Sequence, residues 1–139
     1  MPPASIPAAH ADLQRLLNTE LHALADGLLS GEQWSIDRCV EFVVAESHGY
    51  WHGRARAMMC RRLKHCRLGR TQRTQLVEAI VGRLLAGNFS EQFKDQLRLA
   101  LRLDATRTLA AAHEALGSSR CHVARYARWV LAHRLPRAD

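Results

Sequence analysis

Two histidines and two glutamates that lie close together in the sequence are the residues best suited to chemistry. His48 and His52 are four residues apart, and Glu41 and Glu46 precede them. On a continuous helix the two imidazoles would face one way, as a zinc site requires, and a nearby carboxylate would complete a base-and-acid pair. Gly49 falls between the histidines at a predicted helix break, which separates their side chains. We therefore expect no metal, no cofactor and no catalytic residue, with His48 and His52 as the alternative metal or catalytic site.

The rest of the sequence contains no motif that fixes a reaction. It has no glycine-rich phosphate loop, no nucleophile elbow and no paired carboxylate motif. The cysteines are far apart and form no CxxC pair: Cys39, Cys60, Cys66 and Cys121. Cysteines of this kind are usually small buried hydrophobes in a reducing compartment. We expect the protein not to be an enzyme.

Arginine is the residue type that points most clearly to a partner. The 139-residue chain has 20 Lys and Arg residues against 13 Asp and Glu, which gives a net charge of +7. Residues 1–46 are net acidic, residues 47–139 are strongly basic, and no acid occurs between Glu46 and Glu78. This asymmetry is typical of an anionic partner, or of an acidic segment that covers a basic surface. The alternative explanation is the Arg-rich and Ala-rich composition that a GC-rich genome produces.

Helices must position these residues, because apolar residues recur at steps of three and four along the chain. A stripe of leucines predicts a first amphipathic helix over residues 10–29: Leu13, Leu16, Leu17, Leu21, Leu24 and Leu28. Six further helices are predicted over 35–48, 50–66, 71–86, 90–103, 104–116 and 119–135. Gly87 and Asn88 form a stop signal, and Ser90 and Asp104 are the predicted N-caps of the helices that follow.

The length fits one domain. We predict a disordered lead-in over 1–9, where three prolines lie, a single all-α domain over 10–135, and a tail over 136–139. No apolar run reaches the roughly 18 residues that span a bilayer, and the start of the chain lacks the pattern of a secretion signal. The expected location is the cytoplasm, without membrane association.

The last six helices form three pairs with an offset of roughly 30 to 40 residues. In the final pair, residues 104–116 end in Ala115 and Leu116, a polar turn follows, and the next helix places Val123, Arg125, Ala127 and Leu131 at regular positions. This pattern resembles a HEAT-type helical repeat. The resemblance implies antiparallel helical hairpins stacked as a short right-handed solenoid, and a binding scaffold without catalysis. A compact bundle of the same helices is the alternative architecture.

In such a scaffold the second helix of each pair lines one surface. The arginines on these helices would form a basic face: Arg54, Arg61, Arg62, Arg98, Arg102, Arg125 and Arg128. Planar guanidinium groups donate two hydrogen bonds at once to a phosphate or carboxylate. Nearby aromatic rings would stack on bases if exposed, or else anchor the core: Tyr50, Trp51, Tyr126 and Trp129.

The sequence thus predicts a non-enzymatic scaffold or adaptor that binds an acidic macromolecule, either nucleic acid or protein. An ordinary solvated surface of arginines is the alternative interpretation of the face. A different function is a protein–protein module or homodimer that uses the leucine-rich first helix.

Overall fold

The structure, a computed structural model, describes residues 12–13, 15–49 and 51–133. Within these ranges it is all helical and contains no strand, so the predicted all-α fold is confirmed. The seven helices found there are α1 (Asn18–Leu29), α2 (Gln33–Val44), α3 (His52–Leu63), α4 (Arg70–Ala86), α5 (Phe93–Leu103), α6 (Ala105–Ala115) and α7 (Cys121–Ala132). None of these helices has the length and apolar character needed to cross a membrane. The predicted lead-in over 1–9 and tail over 136–139 lie outside the described residues.

The chain divides into two compact units between Arg67 and Leu68. Unit 1 contains α1, α2 and α3, each of which packs against the other two. Unit 2 contains α4 to α7; α4 packs against the other three helices, and α6 also packs against α5 and α7. The single domain over 10–135 stays a prediction, and so does the HEAT-like solenoid.

The leucine stripe of α1 forms much of the interior of unit 1. Leu21, Leu24 and Leu28 are buried together with Phe42 of α2 and Leu63 of α3. Burial of one such side chain contributes about 1.5–3 kcal/mol. The stripe therefore packs within its own unit.

The predicted helix over 10–29 is interrupted, because Asp12 and Leu13 are helical, residues 15–17 are not, and the backbone at the break has other hydrogen-bond partners. The Leu16 carbonyl oxygen lies 3.0 Å from Nε2 of His52, and the Leu17 N–H donates to the Glu20 carboxylate at 2.8 Å. The helix begins only at Asn18. Leu13, which precedes this break, is also buried. The leucine stripe of the sequence therefore reflects burial on both sides of the break.

The second helix ends at Val44 instead of residue 48, because a buried arginine holds the following segment. Arg56 is 4% exposed, and its Nη2 donates to the carbonyl oxygen of Ser47 at 2.7 Å and to its hydroxyl at 2.8 Å. The same guanidinium lies 5.5 Å from the ring centre of Phe42. Two hydrogen bonds to Ser47 keep residues 45–49 out of the helix.

The third helix starts after an unusual residue. Trp51 precedes α3 with φ at 70°. This left-handed conformation costs a non-glycine residue on the order of 1–2 kcal/mol. The ring of His52, the next residue, is buried against Phe42 with ring centroids 5.0 Å apart, so the core fixes the start of the helix.

In unit 2 the predicted stop after α4 is confirmed. Gly87 has φ at +74°, and the Asn88 N–H donates to the Arg83 carbonyl at 2.9 Å, which closes the helix end. The predicted cap of α6 is also confirmed, because the Arg107 N–H donates to the Asp104 carboxylate at 3.0 Å.

The start of α5 differs from the prediction. The helix begins at Phe93, and Ser90 does not cap it. The Ser90 hydroxyl instead accepts from Nε2 of Gln96 at 3.1 Å, and Oε1 of Gln96 accepts from Nη1 of Arg83 at 2.9 Å. Arg83 and Gln96 are buried, so this chain satisfies polar groups inside the unit and draws Ser90 away from the helix end.

The positions that carry the resemblance to a HEAT-type repeat lie on α6 and α7 and at the end of α6. Val123 and Ala127 are buried, Leu131 is half-buried and Arg125 is exposed. Any packed helical hairpin needs small and apolar residues at such positions, so the HEAT assignment stays a prediction.

Candidate functional site

The predicted basic residues fall into both units. Arg54, Arg61 and Arg62 belong to α3 in unit 1, and the remaining four belong to α5 and α7 in unit 2. In unit 1 the Arg62 guanidinium pairs with Asp26 at 3.2 Å, and Arg61 is half-buried. Arg54 is exposed and lies over the Trp51 ring at 4.9 Å from its centre. The three arginines of α3 are thus in different environments, and one is neutralised by an acid of its own unit.

In unit 2 the basic residues of α5 form a straight row. Lys94, Arg98 and Arg102 are exposed and follow one another at steps of four, which places them on one side of the helix. Asp95 is the one acid on α5, and it is almost fully buried, with its carboxylate 3.1 Å from Nη1 of Arg98. One cation of the row is therefore partly neutralised, and the other two project from the same side.

A matching row runs along α7. Arg125, Trp129 and His133 also follow at steps of four, and α7 contains no acidic residue. Arg128 lies beside this row, about 100° around the helix from Trp129. Of the described residues, none forms an ion pair or hydrogen bond with the side chain of Arg102, Arg125 or Arg128, and all three are exposed.

The two rows meet at Trp129. Nζ of Lys94 lies 5.5 Å from the centre of its ring, and the guanidinium carbon of Arg98 lies 5.1 Å from it. His133 stacks on the same ring with centroids 4.5 Å apart and an interplanar angle of 15°. Cation–π contacts of this kind hold long side chains in one place and so reduce the entropy lost when they bind a ligand.

We call this surface the α5–α7 face. It consists of Lys94, Arg98, Arg102, Arg125, Arg128, Trp129 and His133. No known protein family, curated protein or solved structure matches the chain. The chemistry of the face follows from its own side chains, which offer guanidinium, ammonium and imidazole donors and no exposed carboxylate.

The aromatic residues of unit 2 anchor the core instead of presenting free rings. Tyr126 packs against Phe89 at 4.4 Å and against Phe93 at 5.4 Å between ring centroids. Trp129 is covered by its cationic neighbours and His133 as described. This arrangement does not leave the rings of Tyr126 and Trp129 free to stack on bases. The fourth predicted aromatic residue of this set, Tyr50, lies outside the described residues.

The structure separates the predicted metal or catalytic residues. His52 is 1% exposed and hydrogen bonds through Nε2 to the Leu16 carbonyl, whereas His48 is exposed in the segment before α3. Glu41 and Glu46 are exposed, and Glu41 lies 3.5 Å from the Arg38 guanidinium. Within the described ranges, no group of three or more His, Cys, Asp or Glu side chains is arranged to hold a metal ion.

The four cysteines differ in how far they are buried, although the sequence predicts that all four are buried. Cys39 and Cys60 are buried, Cys66 is half-buried, and Cys121 is exposed at the start of α7. Burial is the largest effect at Cys39 and, with the nearby Cys66 sulfur, raises its pKa to about 12 despite Arg62. Burial also raises the pKa of Cys66. The prediction of four buried cysteines is therefore wrong for Cys121, because the first turn of a surface helix exposes it.

Sequence reasoning missed Lys94 and His133. It followed arginines alone, so a lysine one turn before Arg98 was not included. The signal was present, because Lys94, Arg98 and Arg102 have a regular spacing of four. His133 follows Trp129 at the same spacing, but only the contacts of Lys94 and Arg98 with the Trp129 ring show that the two rows meet.

Proposed function

We propose that this protein is a non-enzymatic binding protein whose α5–α7 face binds an acidic macromolecule. The observation that carries this proposal is the meeting of two basic rows at Trp129, with Arg102, Arg125 and Arg128 exposed and unpaired among the described residues. Like charges held side by side repel one another, and an anionic partner relieves this repulsion. The positive charge also increases the rate of encounter with such a partner.

Nucleic acid is the partner that the composition of the face favours. Four of its five permanent cations are arginines, whose planar forks suit phosphate oxygens. Each row extends over nine residues, which places its first and last members about 12 Å apart along the helix. With one of its five cations partly neutralised by Asp95, the face can contact about three to four phosphates. Because the rings are covered, we expect contact with the phosphate backbone and no preference for particular bases.

Fluorescence anisotropy with a labelled single strand of about 20 nucleotides tests the proposal directly. At about 50 mM salt the chain should bind this DNA, and Arg102→Gln with Arg125→Gln should weaken binding at least about tenfold, since each lost phosphate contact removes a favourable charge interaction. Scrambling the base sequence should leave the affinity unchanged.

The matched control removes two exposed arginines that do not belong to the face. Arg67→Gln with Arg70→Gln changes the net charge by the same amount, and we expect it to weaken binding far less. Equal effects of the two double variants would mean that the α5–α7 face is an ordinary solvated surface with no specific role in binding. Binding to polyglutamate but not to DNA would assign the face to an acidic protein instead.

The second function predicted from the sequence, a module or homodimer using the leucine-rich helix, has less support. Leu21, Leu24 and Leu28 are already used in the core of unit 1. A partner would have to bind other side chains of α1. A cytoplasmic location remains part of the proposal, since nucleic acids and acidic proteins are both available there.

A further inference from the structure

Unit 1 contains a groove that the α5–α7 face does not use. It lies between α1 and α3 and encloses about 280 Å³. Leu21 and Ala25 line it from α1, and Ala55 and Met58 line it from α3. The two alanines explain the opening, because their short side chains leave space between helices that otherwise pack closely.

Trp51 forms part of the wall of this groove. Its side chain is 38% exposed, and its backbone has the left-handed conformation described above. A costly backbone conformation persists only where its surroundings enforce it, and such residues concentrate at ligand-binding sites. Here the buried ring of His52 anchors the next residue and holds the indole beside the groove.

A guanidinium group lies at the groove. Arg54 lines it and lies over the Trp51 ring at 4.9 Å from the ring centre. None of the described residues that line the groove is acidic. An apolar wall with one tryptophan and one guanidinium is complementary to a molecule with an apolar ring and a single anionic group.

We propose that this groove binds a small aromatic anion, with its ring against Trp51 and Met58 and its acidic group against Arg54. The volume suits a ligand of this class and is too small for a folded partner. This site is independent of the polyanion-binding function, because all of its residues belong to unit 1.

The experiment uses two fluorescent probes and the full chain. 1-Anilinonaphthalene-8-sulfonate is an aromatic anion, and N-phenyl-1-naphthylamine has the same rings without the sulfonate. We expect the sulfonate probe to bind one site with saturation. Arg54→Gln should weaken its binding about threefold to fivefold and leave the uncharged probe within twofold, because only the ion pair is lost.

A pair of alanine substitutions locates the site. Ala55→Phe fills the groove and should weaken both probes at least about tenfold, whereas Ala23→Phe places the same ring on an exposed position of α1 outside the lining and should have no effect. Circular dichroism melts confirm that each variant is folded. Unchanged probe binding in a folded Ala55→Phe chain would overturn the proposal.

Nuclear magnetic resonance gives a second measurement that does not depend on a variant's stability. The sulfonate probe should shift the indole N–H signal of Trp51, which is identified by its loss in Trp51→Phe, and leave those of Trp34 and Trp129 in place. A shift of the Trp129 signal alone would place the probe on the α5–α7 face and contradict the groove.

Discussion

Among the described residues, the Cys39 thiol shows most clearly how burial raises a pKa. Its thiol is fully buried in unit 1, and its sulfur lies 3.6 Å from the Leu24 carbonyl oxygen, to which it donates. Burial penalises the thiolate, so the pKa rises from 9.0 to about 12. The folded protein therefore keeps this proton at a pH where the unfolded chain has lost it.

We predict that Cys39 makes stability depend on pH above 9. Below pH 9.0 the thiol is protonated in both states and its contribution is fully present. Between pH 9 and about 12 the unfolded chain releases the proton, so stability falls by about 1.4 kcal/mol per pH unit relative to Cys39→Ala. Urea unfolding of the unaltered protein and of Cys39→Ala, in reductant at pH 8, 9.5 and 10.5, measures this difference in the free energy of unfolding. A stability difference that is constant over this range would contradict it.

A second prediction at this scale concerns Arg56. Replacing it with Met keeps much of its volume but leaves the buried Ser47 carbonyl and hydroxyl without their donor. We expect a loss of about 2–4 kcal/mol in the free energy of unfolding and faster amide exchange over residues 45–49. Arg54→Met, at an exposed position of the same helix, is the control and should change stability by less than about 1 kcal/mol. Similar losses for both would show that the Ser47 contacts are not the cause.

Single residues also explain which site predictions could be made from the sequence. Gly49 between His48 and His52 was a visible sign that the histidines do not share a helix, and the structure agrees. The burial of His52 had no such sign, because its partner Leu16 lies 36 positions earlier in the chain. Contacts at that separation depend on how α1 meets α3, which local spacing does not encode.

At the scale of helices, two glycines within helices provide a matched test. Gly82 in α4 is exposed, and no atom lies within 4 Å of a Cβ added there, whereas a Cβ added at Gly27 in α1 would collide with the Ser35 side chain. A glycine inside a helix ordinarily weakens it. The absence of a side chain at Gly27 also allows α2 to approach α1.

We predict opposite effects of the same substitution. Gly82→Ala should raise the free energy of unfolding by about 0.5–1 kcal/mol, because alanine favours the helix. Gly27→Ala should lower it, since Ser35 must move and α1 separates from α2. Thermal or urea unfolding of the two variants checks the signs. Stabilisation by Gly27→Ala would contradict the close contact of these helices.

The helices were predictable and their ends often were not, for one physical reason. Apolar periodicity reports which face is buried, so it located all seven helices of the described ranges. Two of the ends that differ are those where a polar side chain from later in the sequence takes a backbone or side-chain partner. Arg56 does so at Ser47, and Gln96 does so at Ser90. The ends set by local chemistry, at Gly87 and Asp104, agree with the prediction.

At the scale of the whole molecule, the positive charge belongs mainly to unit 2. Residues 68–139 hold 12 Lys and Arg against six Asp and Glu, whereas residues 1–67 hold eight against seven. The sequence had suggested an acidic first third and a basic remainder. The boundary between Arg67 and Leu68 divides the charge differently, because α3 brings its arginines into the unit that contains the acids of α1 and α2.

The salt dependence of DNA binding tests the central claim most directly. We predict that log K for a single strand of about 20 nucleotides falls linearly with log salt between about 50 and 200 mM, with a slope of about −2 to −3 for three to four phosphate contacts. Arg102→Gln with Arg125→Gln should make the slope less steep by about 1.4, since each lost contact on a single strand is worth about 0.7. Arg67→Gln with Arg70→Gln should leave it unchanged. A slope that is the same in all three chains would contradict the assignment of polyanion binding to the α5–α7 face.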